Sequence, residues 1–115
     1  MSTPRHPPTA PRIELLYFDG CPGTARLLPD LRALAETARA SLELHAIETP
    51  EQADAARFLG SPTLRVDGRD IEPGAEQRTD YGLKCRLYPN PIGDSAHVPR
   101  PEWIVAALAT ASTRS

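Results

Sequence analysis

The sequence predicts a single α/β domain in which two strand–helix units are followed by a β-hairpin and a last helix. Short apolar runs alternate with stretches whose apolar residues recur every three or four positions. Asp67-Gly68 separates two short strand-like runs, where it favours a two-residue turn. The 115 residues fit one domain, which at this size buries roughly two-thirds of its unfolded surface.

Met1–Arg12 is polar and holds four of the thirteen prolines. It carries too little apolar surface to offset the entropy of ordering and is expected to be a disordered tail, leaving residues 13–112 as the domain. Ile13–Phe18 is mostly apolar and aromatic and is bounded by Asp19-Gly20, the pattern of a largely buried strand. From Pro22 to about Ala40, Leu27, Leu28, Leu31, Leu34, Ala35 and Ala38 mark one face of a helix that Pro29 should kink. Leu42–Ile47 alternates as a strand does, and Thr49-Pro50-Glu51 caps a second helix over Pro50–Leu59. Thr63–Val66 and Arg69–Ile71 form the hairpin. Glu72–Val98 is irregular, with a brief extended stretch at Lys84–Tyr88. Pro101-Glu102 opens the last helix, whose apolar positions are Ile104, Val105, Ala107, Leu108 and Ala111.

Net charge is −2, with basic and acidic residues interleaved, so no footprint for nucleic acid or an anionic membrane is present. No apolar run approaches the ~18 residues of a spanning helix, and the first residues lack the apolar core of a secretory signal. The cytoplasm is the expected compartment. Two cysteines far apart are too few for a secreted disulfide framework and suit redox or ligand chemistry under reducing conditions.

The strand and helix assignments place Cys21 at a helix N-terminus, where unpaired backbone N–H groups and the helix dipole favour a thiolate. The bland alternative is a buried structural thiol. Asp19 either caps this helix or opposes the thiolate by like charge. His6, His45 and His97 have no ligand-like spacing, and Trp103, Tyr17 and Phe18 read as packing residues.

Cys21 at the strand-to-helix turn, Pro29 five residues after Thr24, Ser61-Pro62-Thr63 before a strand, and the Asp67-Gly68 hairpin ahead of a final helix come in the order found in the thioredoxin superfamily, which the chain resembles. The resemblance implies a βαβα-ββα fold with a central mixed sheet flanked by helices. It also implies a cis Ser61–Pro62 bond facing the cysteine, and a substrate-binding surface at Pro22, Ser61, Pro62 and Thr63. Thr24 stands where redox-active members carry a second cysteine, so the tetrad Cys21-Pro22-Gly23-Thr24 is similar to the monothiol variant, with the Thr24 hydroxyl placed to hydrogen-bond the thiolate. Phe18–Pro22, Gly60–Thr63, Asp67–Asp70 and Gly82–Tyr88 also resemble segments of small bacterial thioredoxin-like proteins, some labelled alkylmercury lyases. Thr24 supplies no carboxylate proton donor for carbon–mercury cleavage.

On this resemblance the expected activity is thiol–disulfide exchange through Cys21 with a protein or low-molecular-weight thiol or disulfide, with no cofactor. Strand one runs toward Cys21 and the hairpin returns to that end, so the segment bearing Cys85 starts there. Lys84 and Arg86 beside Cys85 would favour its thiolate. Cys85 is then a resolving cysteine, or with Cys21 half of a soft-metal site for mercury or copper(I) in a non-catalytic protein that binds the ion or a protein partner. A Cys21–Cys85 disulfide requires Cα atoms within ~7 Å.

Overall fold

The computed structural model describes residues 11–89, 95–96, 99 and 101–112. The stretch expected as a tail lies outside these up to residue 10. Pro11 is buried and Arg12 already opens the first strand, one residue before the expected start.

The elements are β1 (Arg12–Tyr17), α1 (Pro22–Ala38), β2 (Ser41–Ala46), α2 (Pro50–Ala55), β3 (Thr63–Val66), β4 (Arg69–Asp70), a 3-10 turn (Ala75–Gln77), β5 (Tyr88–Pro89), β6 (Ser95–Ala96) and α3 (Pro101–Ser112). The domain is α/β, built on a mixed sheet of order β2-β1-β3-β4. β1 runs parallel to β2 and antiparallel to β3, and β4 returns antiparallel to β3. β5 and β6 pair separately.

Period-two alternation in β1 sends Ile13 and Leu15 to one face, where they pack with Leu27, Leu31 and Ala35 of α1 and Ile104 and Leu108 of α3. Leu16 faces the other way, onto Ile47, Ala53 and Phe58 beside α2. β2 is an edge strand in which Glu43, Leu44, His45 and Ala46 are all exposed, so its alternating pattern does not mark a buried side. Within α3, Val105 is also exposed, because it sits about 100° around the helix from the Ile104–Leu108 stripe.

Helix ends follow local chemistry. α1 keeps Pro29 inside it and closes on Arg39 in the left-handed conformation, with Ala40 N–H bonding Ala35 O and Arg39 N–H bonding Glu36 O. α2 is shorter than its sequence suggests. Thr49 caps it by accepting from Gln52 N–H, and the chain then turns at Arg57, φ 55°, with Phe58 N–H bonding Ala53 O. That turn ends the helix before Leu59 and directs Phe58 and Leu59 inward. At the hairpin, Asp67 and Gly68 both have positive φ, 52° and 85°, the geometry of a type I′ turn. Asp67 also exchanges two hydrogen bonds with the Arg12 backbone, tying the turn to β1.

Candidate functional site

β1 ends at Tyr17, and Asp19-Gly20 turns the chain so that Cys21 becomes the N-cap of α1 with Pro22 as the first helical residue. No side chain caps this end, so Asp19, exposed, does not take the capping role open to it in the sequence. Cys21 is only 5 % exposed. Burial alone would push its thiol up. Hydrogen bonds from the Ser61 and Thr24 hydroxyls and from the Thr24 and Gly23 backbone outweigh burial, and its pKa lies below the usual thiol value. The Thr24 hydroxyl lies 3.2 Å from that of Ser61.

Ser61 is the hinge of the site. Its hydroxyl accepts from Phe18 N–H at 3.4 Å, at the exit of β1. Its backbone N–H donates to Lys84 O at 2.8 Å and its carbonyl accepts from Arg86 N–H at 2.9 Å. These two bonds make Ser61 and Cys85 partners in a parallel bridge. Bridge partners lie side by side, so Cys85 is the immediate backbone neighbour of Ser61. Both cysteines are free thiols, one buried and one exposed.

The Ser61–Pro62 peptide bond is cis. The side chains of Ser61, Pro62 and Thr63 are fully buried, and the Ser61 backbone is occupied by the chain itself. Of the four residues the resemblance places on a substrate-binding surface, Pro22 is the one that is exposed.

The cations flanking Cys85 are both engaged with carboxylates. Lys84 pairs with Asp80 at 2.9 Å. Arg86 points inward, its side chain fully buried. It grips both Asp70 oxygens at 2.7 and 2.9 Å, Glu72 at 2.9 Å and Thr63 Oγ1 at 3.1 Å. Its guanidinium lies 4.5 Å from the centre of the Tyr88 ring. Burial pushes the Tyr88 hydroxyl well above its usual pKa, and that hydroxyl donates to Pro62 O. Gly60 completes the arrangement: a Cβ there would stand 2.9 Å from Arg86 Cβ.

Sequence reasoning missed this network. Its signal was an acidic pair two apart, Asp70 and Glu72, opposite an arginine and a tyrosine also two apart, Arg86 and Tyr88. Outside the site, Glu14, Glu43 and His45 cluster with ligand atoms within 4.8 Å of one another, on the half of the sheet that short α2 leaves open. Arg12 pairs with both carboxylates, at 3.2 and 4.0 Å. Among the described residues, no cluster of three metal-ligating groups includes Cys21 or Cys85, and no helix is long and apolar enough to cross a membrane.

No protein-family profile matches the chain, and neither a curated protein nor a solved structure is significantly similar to it.

Proposed function

We propose that the chain is a thioredoxin-like thiol–disulfide exchange protein in which Cys21 is the reactive thiolate and Cys85 its second sulfur. The observation that carries the reading is Ser61, whose hydroxyl holds the Cys21 pKa down while its backbone is bridged to Cys85. Further support comes from the order β1-α1-β2-α2-β3-β4 with α3 closing the same face as α1, and from the placement of Cys21 at the N-cap of α1. Thr24 supplies a hydroxyl and no sulfur, so resolution falls to Cys85 or to a thiol from outside.

The test is the rate of Cys21 alkylation against pH, together with disulfide-reductase turnover of the full chain with and without Cys85→Ser. The expected result is a Cys21 midpoint below that of a free cysteine and turnover that falls in Cys85→Ser. A midpoint at the free-cysteine value with no turnover overturns the reading. Copper(I) uptake by the reduced protein without turnover would favour a soft-metal holder instead.

A further inference from the structure

We propose that an external disulfide is attacked first by Cys85, and that Cys21 then closes the protein's own disulfide. This order rests on the two-sulfur reading above and reverses the roles that the helix N-terminus alone suggests.

Access decides it. Exchange requires the incoming disulfide to reach the attacking sulfur. Cys21 is buried, whereas Cys85 is exposed. The edge along which an extended substrate would align beside Cys21 is filled by Lys84–Arg86, which takes both backbone groups of Ser61. That segment is not easily lifted. Arg86 is anchored by Asp70, Glu72 and Thr63, and Tyr88 by Pro62, so displacing it would expose a buried guanidinium and break its charge pairs. Leu83 and Leu87, two residues to either side of Cys85, are both exposed and give the approach to its thiol an apolar rim.

The steps balance. Cys85 gives its proton to water, and its thiolate attacks one sulfur of R–S–S–R. A Cys85–S–R bond forms as the substrate bond breaks, and RS⁻ leaves. The Cys21 thiolate then attacks Cys85 Sγ, the Cys21–Cys85 bond forms, and the second RS⁻ is expelled. Two electrons pass from the protein's thiols to the substrate, which leaves as two thiols.

The order is tested with the reduced full chain, Cys21→Ser and Cys85→Ser, each mixed with excess 2,2′-dithiodipyridine at neutral pH and followed by thiopyridone release and intact mass. Cys21→Ser should accumulate a stable mixed disulfide on Cys85 at the rate of the wild-type first step. Cys85→Ser should react at least about tenfold more slowly, as expected for a shielded sulfur. The wild type should release two equivalents and end as an internal disulfide. If wild type closes that disulfide but Cys85→Ser reacts as fast as Cys21→Ser, the order is overturned and the two-sulfur reading survives. If wild type stops at a mixed disulfide, the two-sulfur reading fails and this proposal with it. Cys21→Ala serves where Cys21→Ser does not fold, and far-UV circular dichroism checks each variant.

Discussion

Arg86 meets Asp70 with two guanidinium nitrogens on two carboxylate oxygens, at 2.7 and 2.9 Å, and so fastens the strand segment beside Cys85 to the end of the hairpin. A bidentate pair of this kind is stronger and more directional than a single ionic contact. It also makes the arginine irreplaceable by lysine, whose single ammonium cannot span both oxygens.

Removing that guanidinium strands the mostly buried Asp70 and leaves Glu72 with Arg78 alone, at 3.5 Å. Arg86→Met should destabilise the fold by about 3 kcal/mol, the scale for breaking a buried pair from one side. Arg86→Lys should recover only part of the loss. Urea unfolding of the three proteins reads this directly, and equal midpoints would show that the network contributes nothing.

Ser61→Ala takes away one hydrogen bond to the Cys21 sulfur and leaves its burial in place, so the Cys21 pKa should rise and the alkylation profile move to higher pH. Thr24→Val should move it in the same direction. An unshifted profile in both variants would mean that the hydroxyls do not hold the thiolate.

The lowered Cys21 pKa has a sign in stability. The unfolded thiol titrates near 9.0 and the folded one below it, so between the two values the unfolded chain binds more protons and stability rises with pH. The contribution is full above the unfolded pKa and is lost as pH falls through the folded one. Unfolding free energies measured across this interval should slope upward in wild type and less so in Cys21→Ser.

Gly60 has φ 126°, a conformation side chains rarely adopt, and a Cβ there would press on Arg86 Cβ. Gly60→Ala should cost about 2 kcal/mol, within the range for a strained backbone position. Because the clash falls on the residue after Cys85, the variant should also slow internal disulfide formation. Thermal unfolding and thiol titration measure the two effects.

Much of the framework was legible in the sequence because it depends on local chemistry. The alternation of Ile13 and Leu15, the Leu27–Leu31–Ala35 stripe and the Asp67-Gly68 turn each announce an element through neighbouring residues. Boundaries set by conformations with no sequence signature were not legible. α2 ends at Ala55 and the chain turns at Arg57, an arginine with positive φ. The place of Cys21 between strand and helix was legible. The part played by residues 61, 70, 86 and 88 was not, because it depends on which distant segment lies beside Ser61. The ends of the two charges next to Cys85 were not legible for the same reason: adjacency in the chain says nothing of where a long side chain ends, and Arg86 turns inward while Lys84 turns to Asp80.

The bridge between Ser61 and Cys85 joins parts of the chain that meet only after the hairpin and the segment following it have come to rest. A molecule frayed beyond residue 72 would keep β1, α1 and a cysteine at the helix start, yet lack a partner sulfur. On the proposed two-sulfur reading, loss of that stretch would silence the exchange while the cysteine at the helix start stayed in place, and formation of the internal bond would read out whether the whole chain has closed.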